Sequence, residues 1–319
     1  MRYVQTLNLH LTPFAPIAVF AYKRPEKFEA LINSLKNCRE AQHSSLYIFL
    51  DVPNSKSISD ENNRIEWMIS QITGFKQVNL IKRAQHFGLS KNITEGINEI
   101  FKAHDQIIVL EEDLVVSSQF LTYMNCALQK YKNFLQIFHI AAHCDSLHRR
   151  VSEPFFFTRK MDCWGWATWK NRWTNFNKDP QKLLKAASPE FIYEFDFHDS
   201  YQLWNQVVQN VKGDLDTWAV FWQAAISAKS GLSLTPNSPF VVNSGQDGSG
   251  QHGVWSRETK KLNFSFKPSD LPNQIVDSTF RVISISKGTS NLEILRDKII
   301  RFNSRVVIGI KRKLKGLKT

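Results

Sequence analysis

The sequence is poor in cysteine. Cys38, Cys126, Cys144 and Cys163 lie far apart in 319 residues with no CxxC pair, which excludes a disulfide framework and a cysteine-based zinc site and leaves reduced thiols as the reading. Long apolar runs are missing as well. Stretches such as 15–21 and 306–310 fall far short of the roughly 18 to 20 residues that a membrane-spanning helix needs. Arg2 is followed by Gln5, Asn8, His10 and Thr12 where a secretory signal would place an apolar core, so a cytoplasmic protein is expected. The turn after the first apolar run, Tyr22-Lys23-Arg24-Pro25, has no glycine to wrap a phosphate, which argues against a nucleotidyltransferase that makes activated sugars. No internal repeat is present.

What is there is an ordinary globular composition, 42% hydrophobic and 22% charged, with a formal net charge of +12. A nucleic-acid partner would want basic residues spread with aromatics over a surface. Here residues 291–319 carry nine Lys/Arg against Glu293 and Asp297, a net +7, so more than half the excess sits in a tail and no nucleic-acid partner is expected. Within that tail Leu292, Leu295, Ile299, Phe302, Val306, Ile310, Leu314 and Leu317 recur every three or four residues. The pattern predicts a basic amphipathic helix at the inner face of a membrane, drawn to anionic lipid; a terminal helix packed on the domain is the alternative.

Along the chain, Ile17–Ala21, Leu46 to Leu50, Val78 to Ile81 and Ile107 to Leu110 are short apolar strands. Helical spacing separates them, at Phe28, Leu31, Ile32 and Leu35, then Ile65, Met68, Ile69 and Ile72, then Ile93, Ile97 and Ile100. Alternation of this kind predicts an α/β fold with a mostly parallel, Rossmann-like sheet flanked by helices, whose ligand site lies beyond the carboxyl ends of the strands. Arg24, Asp51, His86 and Glu111 to Asp113 all fall at such ends. A further helix is expected to open near Ser117, another to run from Asp214 to Lys229, and Leu232 to Leu234 to return as a strand. The expected organisation is a regular α/β half over 1–138 that carries these strand ends, a less regular, aromatic half over 139–290, and the amphipathic tail over 291–319.

Three adjacent carboxyl groups after an apolar strand repel one another unless a cation intervenes, and Mg²⁺ or Mn²⁺ is commonly held by one or two carboxylates plus substrate phosphates. A solvated acidic loop ahead of a helix is the alternative. In the strand-Glu111-Glu112-Asp113-Leu114-helix arrangement the chain resembles the Glu-Asp-Asp-Leu version of the Asp-X-Asp motif of GT-A glycosyltransferases. The nearest likeness is to the N-acetylglucosaminyltransferase I type and related bacterial sugar transferases. It is carried also by Ala21-Tyr22-Lys23-Arg24-Pro25 and by Gly248-Ser249-Gly250-Gln251-His252-Gly253.

The resemblance implies an inverting transferase that uses a nucleotide-sugar, UDP-linked by expectation, with Mn²⁺ or Mg²⁺ as cofactor and a glycan or lipid-linked glycan as acceptor. Asp113 matches the metal ligand, Glu112 the ribose contact, Asp51 the residue that reads uracil, and Arg24 a basic residue near the diphosphate, with Tyr22, His86 and Glu111 on the donor side. Ser249 and His252 belong to a glycine-rich loop expected to fold over the diphosphate as a lid. Asp216, or Asp214 two residues away, matches the catalytic base, helix capping being the alternative. Trp164, Gly165 and Trp166 are either an acceptor surface or core. Glu112 departs from the family, where aspartate is usual, so a catalytically degenerate sugar- or nucleotide-binding relative is the competing reading.

Overall fold

In the computed structural model, residues 13–53, 55, 59–144, 151–245, 262 and 265–287 are described. Ser249, His252 and the 291–319 tail lie outside them. An eight-stranded sheet organises the chain, in the order β3-β2-β1-β4-β8-β6-β9-β7. Its first half is β1 (Ile17–Ala21), α1 (Pro25–Lys36), β2 (Ser45–Leu50), α2 (Ser59–Ser70), β3 (Gln77–Lys82), α3 (Gly88–Ile100) and β4 (Gln106–Glu111). β1 pairs parallel with both β2 and β4, and β2 with β3. These elements match the predicted ones to within a residue or a few.

The strands are apolar along their length because both faces are covered. Ile17, Val19, Ile108 and Leu110 join the core formed with α1, α2 and the later α4 (Phe120–Tyr131), whereas Ala18, Phe20, Ile107 and Val109 join Ile93, Ile97 and Ile100 of α3 on the other face. Right-handed crossovers require this. Moving from β1 out to β3 puts α1 and α2 on one side, and returning past β1 to β4 puts α3 on the other. The reversal of direction falls between β1 and β4, where a doubly wound sheet opens its binding crevice.

The rest of the chain extends the same sheet. β6 (Ile137–Ala141), β7 (Phe155–Thr158), β8 (Trp166–Trp169) and β9 (Leu232–Pro236) add four strands, with β8 antiparallel to both β4 and β6 and β9 parallel to β6. The arrangement is the expected mostly parallel α/β one and is consistent with the GT-A architecture. The expected boundary at 138/139 falls inside β6, and the sheet continues across it. A two-stranded ribbon pairs β5 (Leu114–Val116) with β10 (Val241–Asn243), so a strand, not only a helix, follows the acidic motif.

Short helices α5 (Lys170–Trp173), α6 (Pro180–Ala186), α7 (Pro189–Phe195) and α8 (Leu203–Lys212) precede α9 (Ala219–Ala228), and α10 (Thr279–Lys287) closes the described chain. The expected helix from Asp214 begins only at Ala219, with Trp218 at its N-cap, so neither Asp214 nor Asp216 caps it. Trp166 is fully buried on β8, stacked between His139 and Trp218, and belongs to the core. For Trp166 the structure favours the core alternative, because β8 lies inside the sheet between β4 and β6 and all four of its residues are buried. Among the described residues no helix is long and apolar enough to cross a membrane.

Candidate functional site

The turns after β1 and β4 meet. Glu111 pairs across the sheet with Phe20, and the Glu112 N–H donates to the Phe20 carbonyl at 3.0 Å, which sets the acidic motif against Tyr22 and Arg24. One Glu112 oxygen accepts from the Tyr22 N–H at 2.6 Å and the other from Arg24 Nε at 2.8 Å. Arg24 Nη1 lies 3.0 Å from Asp113 Oδ2. Burial opposes charge on Arg24, but Asp113 and Glu112 outweigh it and raise its already high pKa. Arg24 is therefore a fixed cation between two carboxylates.

Asp113 is held from a second side. Its carbonyl accepts from the Ser244 N–H at 2.7 Å and the Ser244 hydroxyl at 2.8 Å, where the chain leaves β10. Lys27 Nζ donates to the Ser244 carbonyl at 2.6 Å. Gly245 follows in such close contact that a Cβ there would stand 2.3 Å from Asp113 Oδ2 and 2.9 Å from Arg24 Nη1. The remaining carboxylate oxygen, Asp113 Oδ1, is buried with no hydrogen-bond partner among the described residues. A buried carboxylate oxygen without a partner costs about 1–3 kcal/mol or more unless something fills the gap.

Beside this group, burial first, then Asp113 and Glu112, push the Glu111 carboxyl up to about 8 against the opposing pull of Arg24. Asp51, at the end of β2, is 3% exposed and fixes the loop into α3. Its Oδ1 accepts from the N–H groups of Val52 (3.0 Å) and Phe87 (2.9 Å), and its Oδ2 from Gly88 N–H (2.8 Å), with His86 Nδ1 at 3.1 Å. A uracil contact at Asp51 would be added to this set. The His86 ring lies 5.3 Å from that of Tyr22, making a half-open wall.

Three contributors were not singled out from sequence. Asn62 on α2, 1% exposed, donates at 2.7 Å to both the Tyr22 and Asp51 carbonyls, tying the ends of β1 and β2 together. The signal available was a polar residue on the apolar side of a helix, one turn before Ile65 and two before Ile69. The other two are His143 and Asp162, with His143 Nδ1 3.0 Å from Asp162 Oδ2. They sit at the same sheet edge, 19 residues apart in sequence, which no local pattern reveals.

Of the remaining expected residues, Trp164 is half-buried with its ring 4.5 Å from His143, and Gly165, at φ +66°, is packed against Phe120, Leu110 and Ala142. The φ explains the glycine: the chain must turn in the left-handed region as it enters β8. Asp216 is 66% exposed and ion-paired to Lys178, which also donates to Ser90 Oγ. Asp214 is exposed.

No protein-family model matches the chain, and no curated protein does. Among solved structures, S. aureus TarS 1–349 in complex with UDP-GlcNAc overlaps at a TM-score of 0.29 and 8% identity, covering 40% of this chain and 33% of that one. A second structure of S. aureus TarS gives 0.29 and 10% identity over 40% of this chain and 20% of that one. The chain therefore spans a third or less of these structures' length, and overlap at this level identifies neither ligand nor reaction for it.

Proposed function

We propose that the chain is a glycosyltransferase that binds a nucleotide-sugar diphosphate in the crevice between β1 and β4 and moves the sugar to a glycan acceptor with inversion. The observation that carries this reading is Asp113 Oδ1, a buried carboxylate oxygen without a partner at the switch point of the sheet. That atom fits a Mn²⁺ or Mg²⁺ ion held by one carboxylate and two phosphates. Glu112 does not offer a second ligand, because both its oxygens are engaged. When bound, the metal would neutralise charge on the departing diphosphate.

The chain's own residues supply the rest. Arg24 brings a fixed guanidinium to the same place, suited to phosphate oxygens. Glu112 holds Arg24 and the Tyr22 backbone in position, so glutamate in place of the family's aspartate is used here as a strut. Tyr22 and His86 form the wall against which a nucleoside can lie.

Thermal unfolding with UDP, GDP, CDP and TDP, each with and without Mn²⁺, tests the reading. A shift of several degrees is expected with one nucleotide, dependent on Mn²⁺ and lost in Asp113→Ala. No shift with any nucleotide would favour the degenerate alternative.

A further inference from the structure

Resting on that reading, we infer that His143 is the acceptor-side general base and that Asp162 is its positioning residue. The recorded pairs place Val109, Trp166 and Ala141 side by side on β4, β8 and β6, and the Ala142 N–H donates to the Gly165 carbonyl at 2.8 Å one step further on. Glu111 ends β4, His143 follows β6 by two residues and Trp164 precedes β8, so all three lie at the same end of the sheet. With strands about 4.8 Å apart, β4 and β6 are separated there by two spacings, about 10 Å. That gap suits a sugar ring lying beside the donor crevice.

The imidazole is oriented for the task. Ionised Asp162 can only accept, so the proton between them sits on His143 Nδ1 and the basic lone pair is on Nε2. Asp162 is itself fixed, its Oδ1 accepting from the Trp164 N–H at 3.0 Å and its carbonyl from His139 Nε2 at 2.9 Å. His139 is locked in that tautomer because Trp222 Nε1 donates to its Nδ1 at 3.2 Å, and burial pushes its pKa down to about 4. Burial works to raise the Asp162 carboxyl, but His143, Lys160 and the Trp164 N–H hold it well below the usual range.

The His143 and Asp162 side chains keep 15% and 17% exposure, enough for an acceptor hydroxyl to approach. Asp216, by contrast, is two-thirds exposed and already neutralised by Lys178. In the reaction, Nε2 takes the proton of the attacking hydroxyl as its oxygen bonds to the anomeric carbon. The bond from that carbon to the diphosphate oxygen breaks, and its electron pair leaves with the diphosphate.

UDP release from UDP-GlcNAc, UDP-glucose and UDP-galactose with Mn²⁺, water serving as acceptor, tests this across pH 5–9. The full chain is compared with His143→Gln, His143→Ala, Asp162→Asn and Asp216→Asn. His143→Gln is expected to lower kcat about 10²–10³-fold with KM and Mn²⁺-dependent UDP binding unchanged. Added imidazole should restore part of the rate to His143→Ala, and Asp162→Asn should move the acid limb of the profile. Lys160 and Cys163 also lie within electrostatic reach of Asp162, so rescue decides. Intact UDP binding with an undiminished rate in His143→Gln, no turnover of any of the three donors by a wild type that binds UDP, or loss in Asp216→Asn alone, overturns the inference. Absence of UDP binding by the wild type overturns the donor-site reading and this inference with it.

Discussion

Glu111 is a carboxyl whose titration the fold changes strongly. Its carboxyl moves from an ordinary value of 4.5 to about 8, so the fold favours the neutral acid. The stabilisation it contributes is complete below about pH 4.5 and is lost as pH rises towards 8, where a half-buried carboxylate must be carried beside Asp113 and Glu112. Glu111→Gln keeps the shape without the charge. In chelator, its unfolding free energy relative to wild type should therefore improve between pH 5 and pH 8.5 by on the order of 1 kcal/mol or more. Urea midpoints that differ by the same amount at both pH values would show that Glu111 does not titrate this way. The sequence showed three adjacent acids in conflict, but not how the conflict is resolved. Glu112 and Asp113 share Arg24, and Glu111 takes up a proton; that division depends on which side chain each turn faces.

At the scale of elements, the first four strands were legible because burial on both faces writes a continuous apolar run. The first three helices were legible from their 3.6-residue spacing. β5, β7, β8 and β10 are three or four residues each, too short for a period to register, and β8 is hidden in a tryptophan-rich stretch that reads equally as a surface. The end of β10 carries the most consequence for the site, since Ser244 and Gly245 close on Asp113 from 131 residues away in sequence. Ser244 and Gly245 lead towards the glycine-rich loop at 248–253, which lies outside the described residues. Gly245→Ala must push this segment off Asp113 and Arg24. It should cost about 1–3 kcal/mol of stability and at least tenfold in Mn²⁺-dependent UDP affinity by calorimetry. Unchanged affinity would mean that the close contact does not shape the site.

For the molecule as a whole, one sheet joins the β1–β4 crevice to the aromatic part of the chain, and the proposed site runs along a single edge from Asp51 through Arg24 and Asp113 to His143. The residues at the ends of β1, β2 and β4 were legible because they follow recognisable strands. The His143–Asp162 pair was not, because it forms only when β6 and β8 are placed side by side. The claim on which the whole account turns is that Asp113 supplies the protein's metal oxygen for a bound diphosphate. Electron paramagnetic resonance titration of Mn²⁺ into the full chain, with and without UDP, measures this directly. Mn²⁺ alone is expected to bind weakly, because Arg24 already engages the other Asp113 oxygen, with about one tightly bound Mn²⁺ per chain once UDP is present, abolished in Asp113→Asn. Tight Mn²⁺ binding that survives Asp113→Asn, or UDP binding that ignores Mn²⁺ altogether, would contradict it.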